Sequence, residues 1–230
     1  MNVYRGAATR RDLLRTGAVV AAGLIAGPAM ADDPIGDLIQ NTTPTGVARP
    51  STTAMPASPM TFRPDLFRRA LAALSRHSSE IARQDRIALV DFDLPSSRSR
   101  FHIVDLASGR SQSLLVAHGR GSDPAHTGFL TLFSNEVGSA ASSSGAYVTK
   151  GDVYIGEHGR SQRLVGLDRT NNNVEERAIV VHAAWYVSQD MIAQHGKIGR
   201  SEGCFALTED SLEIALNQLG AGRMIYADKV

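Results

Sequence analysis

The sequence predicts a single, mainly β domain with a few short helices. Two observations point there. Between residues 86 and 227, short apolar-rich segments recur between clusters of Gly, Ser, Asn and Pro, which is strand spacing. Only three segments carry helical periodicity or helix caps. No collagen, coiled-coil or solenoid period is present. With 43% hydrophobic and 20% charged residues among 230, a packed core is expected and wholesale disorder is excluded. The net charge of +1 gives no electrostatic basis for binding nucleic acid.

The chain divides into three parts. Residues 1–31 read as an export signal rather than as fold. Arg5, Arg10, Arg11 and Arg15 form a basic region, Thr16–Ala31 is uncharged, and Ala29-Met30-Ala31 is a small-x-small cleavage site. The apolar run is shorter than the roughly 20 residues needed to span a bilayer. Thr9–Arg15 resembles a twin-arginine export signal, so the mature protein is expected in the periplasm or cell envelope. Cleavage removes four arginines and one aspartate, which takes the formal charge from +1 to −2. No cysteine follows the apolar run, so no lipid anchor is expected after cleavage. Residues 32–60, with Pro34, Pro44, Pro50, Pro56 and Pro59, read as an extended linker. The folded domain is expected over 61–230.

Within that domain Pro64-Asp65 opens a helix running to about Ser78, with Leu66, Ala70, Leu71 and Leu74 on one face. Strands follow at 86–93, 99–106 and 111–117, joined by gaps short enough for an antiparallel meander. The Gly/Ser/Asn-rich stretch 119–145 is too long for a plain hairpin and reads as loops framing a site. A hairpin of 146–150 and 153–155 is expected around Gly151-Asp152, then strands at 163–167 and 178–181. A helix is expected at 188–195. Thr208 caps another through Leu219, with Glu209 and Asp210 in its first turn and Gly220 as its stop. A last strand covers 223–227.

The sharpest local signal is Gly199-Arg200-Ser201-Glu202-Gly203-Cys204-Phe205-Ala206-Leu207. Cys204 is the sole cysteine, so neither an intramolecular disulfide nor a multi-cysteine metal site can form. Gly203 allows a tight turn whose peptide N–H groups could hold an oxyanion. A thiol with a pKa of about 8.5 needs a base near neutral pH. His182, at the end of the apolar run Ala178–Val181, is the candidate base. Against this stand two plainer readings, a cysteine that is a small core hydrophobe and a histidine that is merely hydrogen-bonded.

His182 followed by Ser201-Glu202-Gly203-Cys204 resembles the YkuD-type L,D-transpeptidases. His118-Gly119-Arg120-Gly121, Phe133-Ser134-Asn135, Ser142–Tyr147, Gly166-Leu167-Asp168 and Gly199-Arg200-Ser201 resemble, in order, the murein L,D-transpeptidase catalytic domain family. The resemblance runs from about Ile87 to Cys204. It implies a β-sandwich or barrel-like domain and a Cys204 nucleophile served by His182. The acyl group of a peptidoglycan stem peptide would pass to an amine through a thioester, with no metal or organic cofactor. The chain departs from the usual pattern at Glu202, where many members have histidine, and at Ala206, where many have arginine. Its His–Cys gap is also longer. These departures bear on substrate anchoring and acceptor choice. Hydrolysis of the thioester, or a wall-binding module with an inert Cys204, remain the alternatives.

Other residues have two readings each. Arg200 could grip a stem-peptide carboxylate or be solvated. Ser201, Glu202, Trp185 and His118 are candidates for the substrate cleft, although Trp185 could equally be core. His158 reads as a turn residue and Tyr147 as core. A zinc site from His118, His126, His158 and His182 has no HxH or HExxH pair behind it.

Overall fold

The structure, a computed structural model, describes residues 62–230. The expected export signal and linker lie outside the described residues. Elements follow in the order α1 (Pro64–Arg76), β1 (Arg86–Asp91), β2 (Phe101–Asp105), β3 (Ser111–Leu114), a 3-10 turn (Arg120–Ser122), β4 (Gly145–Gly156), β5 (Gly159–Gly166), β6 (Val180–Ala183), α2 (Gln189–His195), β7 (Phe205–Leu207), α3 (Glu209–Leu219) and β8 (Met224–Asp228). No described helix is long and apolar enough to cross a membrane.

The eight strands form one mixed sheet in the order β3-β2-β1-β8-β4-β5-β6-β7. Strands β1 to β3 make the expected antiparallel meander. The pairs β1–β8 and β6–β7 are parallel. Past β3 the chain continues extended, and Ala117 N–H donates to Ala206 O at 2.9 Å, while Gly119 bridges Ser201. These contacts bring the two ends of the strand order together, which gives the sheet its barrel-like closure.

Alternation along the central strands explains why both faces are covered. Ala88, Val90, Ile225 and Ala227 face one cluster, into which α3 sends Leu212, Ala215, Leu216 and Leu219. Ile87, Leu89, Met224 and Tyr226 face the other, beneath Leu66, Ala70, Ala73 and Leu74 of α1. In α1 the buried stripe takes Ala73 and leaves Leu71 exposed, unlike the expected face. At 100° per residue, position 73 stands almost above 66, whereas 71 is well off that line.

Three further expectations change. Residues 145–156 are one long strand with an irregularity between Lys150 and Tyr154, and its hairpin turn falls at Glu157-His158 rather than at Gly151-Asp152. Strand β6 begins at Val180 because Ala178 takes φ 52°, outside strand geometry. Residues 205–207, too few to show alternation, form β7. The Thr208 cap is as expected, its side chain accepting from Ser211 N–H.

Candidate active site

Strands β6 and β7 position the thiol and the imidazole. His182 pairs with Ala206 in parallel register, so Cys204, two residues earlier, shares its face of the sheet. A strand spacing near 4.8 Å and a rise near 3.3 Å per residue put the two backbones about 8 Å apart. Both side chains line one cleft of about 800 Å³, with Arg120, Arg177, Arg200 and Glu202 around it.

Within that cleft the two groups do not hydrogen-bond to each other. Cys204 Sγ–H donates to Ala178 O at 3.8 Å. Burial pushes the thiol pKa up and Glu202 adds to this, while the Val180 N–H and the Arg177 cation pull the other way. Burial holds the His182 pKa below its usual value, so the ring is neutral near pH 7. Its Nδ1 lies 2.8 Å from Ala183 O. A carbonyl can only accept, so Nδ1 carries the proton and Nε2 keeps its lone pair. His158, from the β4–β5 turn, stacks on this ring with centroids 4.4 Å apart.

The loop before Cys204 is tightly stitched. Ser201 Oγ–H donates to Cys204 O at 2.7 Å and accepts from Gly203 N–H at 3.2 Å. Gly203 N–H is therefore engaged within the loop, contrary to its expected oxyanion role. Gly203 itself has φ +115°, and a Cβ there would lie 2.8 Å from Ala141 O, so only glycine fits. Ser201 also accepts from Arg120 N–H and donates its own N–H to His118 O.

Other candidate residues separate into cleft and scaffold. Trp185 is 83% exposed at the rim, which removes the core reading. Glu202 lies at the cleft edge paired with Arg120 at 3.0 Å. Arg200 lines the cleft, but its guanidinium is anchored on the carbonyls of Asp123 and Pro124. His118, expected near the substrate, is fully buried away from the cleft. Arg100 donates to His118 Nδ1 at 2.8 Å, which leaves the proton on Nε2, 3.4 Å from Asp123 Oδ2. Tyr147 is core, its hydroxyl donating to Ser143 O. Among the described residues no group of three or more His, Cys, Asp or Glu could hold a metal ion.

The residue that sequence reasoning missed is Arg177. It lines the same cleft as the sulfur, where its charge pulls the thiol pKa down, and donates to the carbonyls of Ser134, Ser139 and Ala141, which fixes the long loop against the cysteine turn. An arginine five residues before His182 was the available signal. Ala178, next to it, occupies the left-handed region at φ 52°, which costs a non-glycine residue about 1–2 kcal/mol, and its carbonyl receives the thiol.

A mainly β domain with a buried thiol and a neutral imidazole opening into one arginine-lined cleft is the class that fold and site define. Residues 59–227 match the L,D-transpeptidase catalytic domain family, to which this chain belongs. No curated protein sequence matches it significantly. Similar solved structures include an L,D-transpeptidase from Mycobacterium smegmatis, 12% identical over 63% of this chain and 58% of that one, with a TM-score of 0.37. Another, from Mycobacterium tuberculosis H37Rv, is 14% identical over 63% and 58%, with a TM-score of 0.39. A third, from Xylanimonas cellulosilytica, is 12% identical over 69% and 68%, with a TM-score of 0.35. The chain thus spans less than two thirds of the length of the first two.

Proposed function

We propose that this chain is an exported cysteine L,D-transpeptidase acting on peptidoglycan stem peptides. The observation that carries the reading is the opening of Cys204, just before β7, and of His182, on the adjacent parallel β6, into one cleft, with the His182 Nε2 lone pair kept for a proton. On this reading the thiol leaves Ala178 O, rotates towards His182, and loses its proton to Nε2. The thiolate attacks the carbonyl of an L,D peptide bond. Cys204 N–H, not Gly203 N–H, supports the oxyanion. The imidazolium returns its proton to the departing amine of the terminal D-residue, leaving a thioester. An acceptor amine then attacks the thioester carbonyl and passes its proton to His182, and the C–S bond breaks to free the thiol. Arg177 offsets the charge of the thiolate, and Arg200, with Arg120, supplies positive potential for the stem-peptide carboxylates.

Incubating the full chain with purified stem peptides and reading intact mass tests this. The expected result is an adduct on Cys204 that has lost the terminal D-residue, followed by a peptide joined to the acceptor amine. An adduct resolved only by water would make the protein a hydrolase. No adduct at all would make it a wall-binding module. Export is tested separately: replacing Arg10 and Arg11 by lysine should strand precursor in the cytoplasm, and normal export of that variant would overturn the twin-arginine route.

A further inference from the structure

A second groove lies beyond Trp185, sharing Ala184 and Trp185 with the catalytic cleft and enclosing about 680 Å³. Its chemistry differs from that of its neighbour. The catalytic cleft carries three arginines, whereas no arginine, lysine or histidine lines the second groove. Ser188, Gln189, Thr208, Glu209 and Asp210 stand along it above an apolar floor that includes Leu115. The Ser188 and Thr208 side chains each accept a backbone N–H as helix caps, so each hydroxyl proton remains to be donated. Gln189 and Asp210 are exposed. Between the two depressions the indole of Trp185 presents most of its surface to solvent, braced edge-on by Tyr186 with centroids 5.8 Å apart.

We infer that this groove binds the glycan part of the substrate, a neutral chain of amino sugars, with Trp185 as the stacking platform. An exposed indole braced from one side offers its face to the C–H groups of a pyranose ring, an apolar contact with a wet rim. Hydroxyls, a carboxamide and two carboxylates, Glu209 and Asp210, without basic groups suit sugar hydroxyl and acetamido groups. They do not suit a peptide that carries free carboxylates, which the arginine-lined cleft serves instead. Trp185 stands between the two, where sugar and stem peptide of one substrate would meet. This inference rests on the peptidoglycan reading above and adds which part of that polymer lies on which side of Trp185.

Trp185 is the only tryptophan in the chain, so its emission reports on the boundary between the two clefts, and a peptide-free sugar probes it from the second groove. The full chain should be titrated with a peptide-free β-1,4-linked N-acetylglucosamine tetramer. The expected result is a saturable blue shift, weakened at least threefold by Gln189→Ala and by Asp210→Ala, each checked for an unchanged melting temperature. A sugar-free stem peptide should fail to displace the tetramer from the groove. Unchanged emission, equal binding by a folded Gln189→Ala variant, or displacement by the stem peptide would each overturn the inference. Turnover of sugar-free stem peptides is measured alongside. Turnover without sugar binding removes only the glycan groove, and sugar binding without turnover removes only the catalytic reading.

Discussion

His118 and His182 are both buried histidines with lowered pKa values, and the fold gives them opposite surroundings. Each is buried, and in each burial lowers the pKa, to about 4 for His118. Their tautomers are opposite. Arg100 plugs His118 Nδ1 and leaves the proton on Nε2, 3.4 Å from Asp123 Oδ2 and without a hydrogen bond, so the ring sits in a buried relay with no outlet to the cleft. Ala183 O accepts from His182 Nδ1–H and leaves the Nε2 lone pair at the cleft, where the proposed mechanism uses it as the base. Burial makes both histidines neutral, and only His182 has a cleft to which its free lone pair opens.

The largest expected effect tests that contrast directly. His182→Asn should lower stem-peptide turnover by ~10²–10⁴-fold, the usual worth of general-base assistance, with the melting temperature little changed. His118→Asn should do the reverse, costing stability while the folded fraction keeps its turnover. Comparable loss of turnover per folded molecule in both variants would break the distinction.

The relay itself is the next target. Arg100 is fully buried, donates to Val116 O at 3.1 Å and to Leu94 O at 2.8 Å, and keeps its charge because its pKa, pulled down by burial, is still about 9. Arg100→Met should cost about 3–5 kcal/mol, since it leaves buried acceptors unpaired. Chemical denaturation measures this, and a cost below 1 kcal/mol would show the relay to be dispensable.

A third effect is pH-linked. Protons bind His118 in the unfolded chain below its ordinary 6.5 but in the folded chain only near 4. Its contribution is therefore intact above pH 6.5, falls as the pH drops from 6.5 to about 4, and changes no further below that, with a ceiling of about 3 kcal/mol. His102, also lowered to about 4 by burial, adds a parallel slope. The difference between wild type and His118→Asn in denaturation across pH 4–7 isolates the His118 share. Identical slopes would contradict the assignment of a buried neutral ring.

The smallest effects concern charges at the cleft. Glu202 and Arg120 are both largely exposed, so breaking their pair should change stability by less than about 1 kcal/mol. Glu202→Gln should nonetheless speed iodoacetamide labelling of Cys204 severalfold at pH 8, because the carboxylate raises the thiol pKa. Arg177→Met should slow it. Labelling rates unmoved in both variants would remove these two residues from control of the thiol.

Much of the fold was legible because local chemistry fixes it. The Thr208 cap, Gly220 and the acidic first turn mark α3, and the short gaps expected at 94–98 and 107–110 mark the meander. Other features were hidden. The strand running through Gly151-Asp152 was masked by a turn dipeptide that the long pairing with β5 overrides. Strand β7 is too short for periodicity and exists because β6 on one side and Ala117 on the other hold it. Leu71 and Ala73 exchanged roles because the helix phase, not hydrophobicity alone, selects the buried stripe.

The candidate site divides the same way. By itself the sequence determined the one thiol, the glycine before it, the strand-end histidine, and the family to which those motifs point. These are properties of residue type and short spacing. Tertiary structure decided that His118 belongs to a buried relay, that Gly203 N–H is already occupied, that Arg177 lines the cleft with the thiol, and that Trp185 faces solvent between two clefts of unlike chemistry. Each of those depends on which distant segment arrives as neighbour, and burial, proton position and charge pairing are set by neighbours in space rather than in the chain.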